Sequence, residues 1–422
     1  MSESQELDKD QTMAAVASCE EGPPVWLDVT RLLWRTARGV LTGIDRVELA
    51  YAERLPELLP GAVNFVAYDQ RGDFRRLPTA STYALVRQVR PAAAEGCLSR
   101  LGPASIGLLA GAAAGFWGRM PAGLSGHVYL NVSHYPLHRD RAIWRLVHRT
   151  GVSFVPLLHD LIPLERPEFV KPKETVRHAR RLAAVASSAR GVLANSQTTA
   201  AALRKRLPAE LPVQAVPLGV AQLPEPAEPT SVSLPFFVVV GTLEPRKNHA
   251  LLLQVWQRLA MEVDPPPRLL VIGRRGWGNS AIVNALIGTN GELPHIDWHE
   301  RVSDATLAAM MRSARALLMP SFAEGFGIPI AEALSVGTPV IASDLPAHRE
   351  VGGDVPEYLD PCDLHAWYQV ILDYCRPESL ARQAQLTRLR HWRARSWDTH
   401  LQEVLSFLRA LTKTAEATQQ AA

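Results

Sequence analysis

The chain has 422 residues, of which 47% are hydrophobic and 21% charged, with a formal net charge of +3. That length exceeds what one core usually holds, so two domains are expected, and the composition is ordinary for a soluble globular protein. A net charge this small gives no global case for nucleic-acid binding.

The first residues, MSESQELDKDQTM, are acidic and polar, unlike a signal peptide, and residues 1–23 read as a disordered tail. Val25, Trp26 and Leu27 begin a strand that ends near Thr30. Val47 to Leu55 then shows helical spacing, with Gly43 ahead of it. A glycine there permits close backbone approach to a ligand, and a plain turn glycine is the other reading. Val63 to Tyr68 and Val128 to Val132 read as strands. Between them, the apolar window Ile106 to Trp117 is rich in Ala and Gly and too short to span a bilayer. Ser153 to Leu158 is a buried strand ending at His159-Asp160, and polar residues at such strand ends line the ligand crevice of open α/β sheets. A lone histidine is otherwise most often structural. Arg177 to Ala186 reads as a helix, Val192 to Asn195 as a strand, and Ser196 as the cap of the next helix.

Ala221 to Pro235, AQLPEPAEPTSVSLP, is rich in proline and almost without periodicity, so residues 221–235 read as an interdomain linker. Phe236 to Val240 starts the second domain. The turn that follows carries Arg246 and Lys247, adjacent cations able to neutralise a diphosphate, or a solvated basic turn. Leu269 to Ile272 is a strand followed by Gly273-Arg274-Arg275-Gly276-Trp277; His295 to Trp298 is another, and Ser303, next to Val302, caps a helix.

The densest stretch is Ala314 to Glu350. Ala316 to Met319 is a short buried strand closed by Pro320. Ser321 to Gly327 is a glycine loop, Pro329 opens a helix that Gly337 stops, and Val340 to Ala342 is a second strand. This is a βαβ unit whose helix N-terminus is a ready anion site. Glu324 in the loop and Glu332 in the helix can accept hydrogen bonds from sugar hydroxyls. The plainer reading has Glu324 complementing the helix dipole and Glu332 on a solvated face. Beyond it, Leu364 to Leu411 is mostly helical. There Arg388, Arg390, His391, Arg393 and Arg395 surround Trp392 and approach Trp397, a composition suited to anionic lipid headgroups and so to peripheral membrane contact. A solvated basic helix with its arginines paired to acids is the other reading. The four cysteines, Cys19, Cys97, Cys362 and Cys375, lack metal-ligand spacing and read as free thiols of a reducing compartment; a cytoplasmic protein is the economical expectation.

PSFAEGFGIPIAEAL, with Glu324 and Glu332 in a Glu-x7-Glu pattern, resembles the signature of retaining glycosyltransferases with the GT-B fold, the family that includes bacterial mannosyltransferases. GTPVIASDLPAHREVGGD and GTLEPRKNHALLL are similar to the same family and stand in its order, and HDLIPLERPEF resembles a motif of its first domain. The resemblance implies an α/β GT-B fold, two Rossmann-like domains facing a central cleft. Residues 24–220 would form the acceptor domain, residues 236–400 the nucleotide-sugar domain, and residues 401–422 a C-terminal helix and tail that crosses back to the first domain.

The resemblance also implies roles. Arg246 and Lys247 would stabilise a departing diphosphate. Backbone amides of Phe326, Gly327 and Ile328 would meet the phosphates or the sugar, and Gly43 would face the donor phosphates or the acceptor. Glu332 would bind the ribose, Glu324 the transferred sugar, and the backbone around Val302 the nucleobase; His159 would take a catalytic place. The partners implied are a nucleotide-sugar donor, with a GDP-linked, mannose-type hexose favoured by the GRRGW turn, and a glycan or lipid-linked acceptor of surface polysaccharide synthesis. No bound metal and no further cofactor is expected. Many relatives carry arginine directly after the glycine where this chain has Thr242, so which cation meets which phosphate oxygen stays open. So does the route to retention: a same-face substitution is the family precedent, and a covalent one through Glu324 the alternative. Rival classes are a UDP-sugar-dependent transferase, an epimerase, a phosphorylase and a non-catalytic binding module. The Glu-x7-Glu stretch argues against the epimerase and the phosphorylase. The joint presence of Glu324, Glu332, Arg246 and Lys247 argues against the module.

Overall fold

The computed structural model describes residues 22–420, apart from 70, 96, 222, 225–233, 279 and 288–294. Most of the expected tail and most of the expected linker, and Cys19 with them, lie outside the described residues. Thirteen described strands form two sheets. The first contains β1 (Val25–Asp28), β2 (Val63–Tyr68), β3 (Phe74–Arg76), β4 (Val128–Asn131), β5 (Ser153–Leu158), β6 (Val192–Ala194) and β7 (Val213–Ala215), in the order β3-β2-β1-β4-β5-β6-β7. Only β3 runs antiparallel, against β2. The second contains β8 (Phe236–Val240), β9 (Arg268–Ile272), β10 (Ile296–His299), β11 (Leu317–Met319), β12 (Val340–Ser343) and β13 (Glu357–Leu359), in the order β10-β9-β8-β11-β12-β13, parallel throughout.

The central strands are apolar without alternation because helices cover both sheet faces. Val25 and Leu27 point into one core cluster and Trp26 into the other; Phe237 and Val239 face one side of the second sheet and Val238 the other. Leu27 lies opposite both Phe65 and Leu130, and Leu317 lies opposite both Val238 and Val340. In each sheet the strand order reverses once, between β1 and β4 and between β8 and β11. Ligands of doubly wound sheets bind outside the carboxyl ends of strands at such switch points.

The C-terminal helix, Trp397–Gln420, returns to the first sheet. Trp397, Leu401, Val404 and Leu408 are buried in its core beside Leu55. His400 is fixed from both sides: Nδ1 donates to the Pro217 carbonyl at 2.8 Å, so Nε2 accepts from the Tyr51 hydroxyl at 2.7 Å. This placement gives part of the Arg-rich stretch a structural role and leaves Arg390, His391 and Arg393 exposed. Trp397 is core, Trp392 donates its indole N–H to the Val351 carbonyl at 3.1 Å, Arg388 pairs with Glu357 at 2.6 Å, and Arg395 pairs with Glu403. No described helix is long and apolar enough to cross a membrane.

Candidate active site

The loops after the strands of one sheet meet those of the other. After β8, a single 3-10 turn, Pro245–Lys247, presents Arg246 and Lys247; after β11, the loop Ser321–Gly327 presents Glu324. β8 and β11 flank the switch point of the second sheet, so topology brings these three side chains together although the cations and Glu324 are 77 and more positions apart in the chain. Arg246 Nη1 donates to Glu324 Oε2 at 3.0 Å and Nε to Glu244 at 3.1 Å. Lys247 Nζ stands 2.5 Å from Glu324 Oε1, and the Ser321 hydroxyl donates to the same oxygen at 2.9 Å. The turn and the loop are also stitched by backbone, Phe322 N–H to the Arg246 carbonyl at 2.8 Å.

The cluster is buried, with Lys247 only 8% exposed. Burial alone would raise the Glu324 carboxyl, but the charges of Lys247 and Arg246 outweigh it and hold Glu324 well below the usual carboxylate range. Burial pushes Lys247 down from its ordinary value against the pull of Glu324. Burial also works against the Arg246 charge, and there Glu324 and Glu244 win, leaving it raised. Both basic side chains are thus paired to one carboxylate.

Three residues past Glu324, Gly327 is the N-cap of the helix Ile328–Ser335, with φ at +112°, a conformation that favours glycine. Ile330 and Ala331 N–H turn back to the Gly327 carbonyl, so the amides ahead of them have no acceptor within the helix. The Phe326 ring, expected only to lend its backbone, is buried in the core of the first sheet and locks the loop across the cleft. His348 lies against the same corner: a Cβ on Gly327 would meet its ring at 3.4 Å, and its Nδ1 donates to the Ser343 carbonyl at 2.9 Å.

Glu332 is not on a solvated face. It is 6% exposed, and burial raises its carboxyl to about 7, with Arg46 pulling it down and Asp304 pushing it up. Arg46 comes from the first half and forms a two-pronged pair with Asp304 of the second, at 2.6 and 3.2 Å. Asp304 opens the helix that Ser303 caps by accepting from Thr306 N–H at 3.0 Å; Val302, just before it, is half-buried against the second core.

Gly43 is not a loop glycine. It is the first residue of the helix Gly43–Leu58, capped by Thr42 and Asp45, and a Cβ there would make an ordinary 3.4 Å contact with Ile328. The position nonetheless puts the N-termini of two helices face to face across the cleft. His159 is buried under the cleft wall. Its Nε2 lies 2.8 Å from the Val132 carbonyl, which only accepts, so Nε2 carries the proton in the neutral ring. Its backbone N–H donates to His134 Nε2 at 2.9 Å, and burial lowers the imidazole to about 4. A ring so weakly basic is better suited to hydrogen bonding than to taking a proton at neutral pH.

Sequence reasoning missed the residues that join the halves. Gly325 packs so closely that a Cβ would fall 2.0 Å from the His159 carbonyl oxygen, and its own carbonyl accepts from the Ser196 hydroxyl at 2.8 Å. Glu350 accepts from the backbone N–H of Gln197 at 2.6 Å and of Thr198 at 3.3 Å, capping a first-half helix from the second half. Arg46 and Glu350 fall inside stretches that already stood out; only their partners were hidden. Among the described residues no three or more His, Cys, Asp or Glu side chains are gathered as a metal would require.

Comparison with known proteins bears on this geometry. Residues 226–356 match the family described as glycosyl transferases group 1. The chain is 35% identical over 163 residues to O-antigen chain mannosyltransferase B of Escherichia coli, covering 39% of this chain and 42% of that protein. It is 34% identical over 157 residues to a phosphatidyl-myo-inositol mannosyltransferase of Mycobacterium leprae, covering 35% and 40%. The chain thus spans less than half the length of these curated relatives. Among solved structures, the sucrose-phosphate synthase of Thermosynechococcus elongatus superposes with a TM-score of 0.59 at 16% identity over 93% of this chain and 100% of its own. Anabaena HepE in complex with UDP and glucose superposes with 0.61 at 15% identity, covering 92% and 99%. The architecture is GT-B, two α/β domains facing a cleft.

Proposed function

We propose that this chain, built around the group 1 glycosyl transferase domain of residues 226–356, is a retaining glycosyltransferase that moves a hexose from a nucleotide sugar to a glycan or lipid-linked acceptor. The observation that carries the reading is the buried cluster of Arg246, Lys247 and Glu324 at the switch point of the second sheet, three residues ahead of a helix N-terminus. Such a site is preorganised for the negative charge that develops on a departing diphosphate.

In this reading Glu324 holds both cations in place while the site is empty. The donor diphosphate then shares them, Arg246 as a fork and Lys247 as a point charge, with the amides of Gly327 and Ile328 on its other side. The Glu324 carboxylate is left beside the transferred sugar, where it accepts from hydroxyls. Its tight pairing with two cations weakens it as a nucleophile, which favours same-face substitution with the donor phosphate assisting the acceptor proton. Glu332 accepts from the ribose hydroxyls, the strand-end corner at Val302 meets the base, and neutral His159 orients the sugar. A mannose-type, GDP-linked donor is favoured by the turn at Arg274 to Trp277 and by the mannosyltransferases among the relatives. No metal is assigned a part.

A thermal-shift panel of nucleotide sugars tests the binding. A donor held only by the native state at about a hundred times its Kd adds about 2.7 kcal/mol of stability. GDP-mannose should protect; protection by UDP-sugars with none by GDP reverses the base, and protection by no nucleotide at all overturns the reading. Release of nucleoside diphosphate then separates an enzyme from a binding module, and NMR of the product's anomeric proton reads retention directly.

A further inference from the structure

Two helices meet end to end across the cleft, Gly43–Leu58 from the first half and Ile328–Ser335 from the second. Gly43 is so near Ile328 that a Cβ on the glycine would stand 3.4 Å from the isoleucine Cδ1. One turn further along each helix lies a charged residue, Arg46 on one and Glu332 on the other. A third charge completes the corner. Asp304 opens the helix Asp304–Ser313 and takes both prongs of the Arg46 guanidinium, Nη2 at 2.6 Å and Nη1 at 3.2 Å.

Glu332 is the odd member of the three. It is buried, and the Ser335 hydroxyl donates only to its backbone carbonyl. Among the described residues its carboxyl oxygens have neither a hydrogen bond nor an ion pair, a costly arrangement for a residue that only supports the fold. The elements around it supply no partner. β11 and β12 carry no charged side chain. The helix Pro346–Gly352 turns Arg349 to Asp344 and Glu350 to the first half, and its His348 lies a turn back, against Gly327. Besides burial, the groups that act on the Glu332 carboxyl are Arg46, favouring its charge, and Asp304, opposing it. The relation is mutual: burial works against the Arg46 charge, and Asp304 and then Glu332 restore it. One guanidinium from the first half is thus divided between two carboxyls of the second, one paired to it directly and one left open.

We infer that Arg46 is a positioning residue for the nucleotide: its guanidinium fixes the Glu332 carboxyl as the acceptor of the vicinal hydroxyls of a ribose, and Asp304 competes for the same guanidinium. The identity of the ligand rests on the glycosyltransferase reading above; the contest over Arg46 does not. A latch with no further part is broken equally by removing either end. Here the two ends act oppositely. Without Arg46, Glu332 faces Asp304 alone and holds its proton; without the Asp304 charge, Arg46 is left to Glu332. A protonated carboxyl is the weaker acceptor of hydroxyls, so the grip on the ribose follows Arg46.

Calorimetric titration of the full chain at about pH 7 reads that grip as a ratio of affinities, with GDP against 2′-deoxy-GDP, or the uridine pair where UDP protects better. The parent chain should prefer the ribonucleotide by about tenfold or more. Arg46→Gln should bring the two nucleotides within about threefold of each other, and Asp304→Asn should leave the preference undiminished or enlarge it. Arg46→Lys, which keeps the charge, should keep most of the preference and guards against a variant that fails to fold. Equal weakening of both nucleotides by Arg46→Gln and Asp304→Asn overturns the inference, since that is the behaviour of a broken latch. Denaturant midpoints without ligand check the link itself. The fall in stability that Glu332 causes as pH rises should run to higher pH in Arg46→Gln, end at lower pH in Asp304→Asn, and vanish from both when Glu332→Gln is added. Shifts in one direction for both variants, or none, also overturn it. If the parent chain binds no nucleotide, the glycosyltransferase reading fails, and the comparison without ligand still decides whether Arg46 governs Glu332.

Discussion

Lys247 is a lysine in a place lysines avoid, buried, with its ammonium on Glu324 and its stem against Gly241, where a Cβ would come 3.2 Å from Cε. Burying a charge is tolerated here because the carboxylate repays it, and the charge is then fixed before any donor arrives. Lys247→Ala should therefore cut turnover by roughly a hundredfold or more, as for loss of one preorganised charge stabiliser. Near-normal turnover in a folded variant would remove Lys247 from the mechanism. Glu332 makes a different prediction, about pH. Unfolded, its carboxyl ionises near 4.5; folded, burial has moved it up to about 7. Between those values the native state keeps a proton the unfolded state has released, so stability falls as pH rises through that window. The contribution is whole below it, is lost above it, and is on the order of 3 kcal/mol at most. Denaturant midpoints measured from about pH 5 to about pH 8 should fall for the parent chain and stay flatter for Glu332→Gln. Parallel curves for the two would show that Glu332 is not the group responsible.

Among the elements, the loop Ser321–Gly327 is where the two halves touch most closely. A methyl group at Gly325 has nowhere to go, since the atom it would strike is backbone, the His159 carbonyl oxygen. Gly325→Ala should lower the melting temperature by several degrees and weaken nucleotide binding together, because the same loop carries Glu324. Unchanged melting would mean that the halves are less tightly closed in solution. This loop also shows what could be read from the chain and what could not. Its strand, glycine turn, helix and following strand are consecutive, and apolar runs of three to five residues gave them away, as they did β1, β5 and β8. β3 escaped because three residues, FRR, hold no period, and the helix Gly102–Ala114 because an apolar stretch without polar spacing does not announce a face. Arg46, Glu332 and Glu350 were in view as letters, but their environments come from residues far along the chain, 258 positions away in the case of Arg46 and Asp304, which no local pattern encodes. Trp397 was misread for the same reason: a tryptophan beside arginines looks interfacial until a distant core claims it.

At the scale of the molecule, the C-terminal helix belongs to the domain it does not follow in sequence. Removing residues 397–422 would uncover Leu55 and Leu59 of the first core and leave Tyr51 without its His400 partner. The shortened chain should therefore be recovered mainly in aggregates, its first half sensitive to brief proteolysis while the second resists. Equal resistance of the two halves would show that the helix is dispensable. The backbone passes between the halves twice, once into β8 and once back toward Trp397, and the two passages are bonded to each other, Val220 N–H to the Arg395 carbonyl at 2.9 Å. Two tethers fastened at one place make a hinge pin. Sliding of one half along the other would have to tear that bond, whereas swinging about it would not. The contacts that such a swing must release are of two kinds: the apolar seam of Phe326 in the first core and Phe322 stacked on Phe169, and the polar latches of the Arg46–Asp304 fork and the Glu350 carboxylate on its helix end. A swing about that point would carry the cations of one half away from the helix ends of the other and back to the same place.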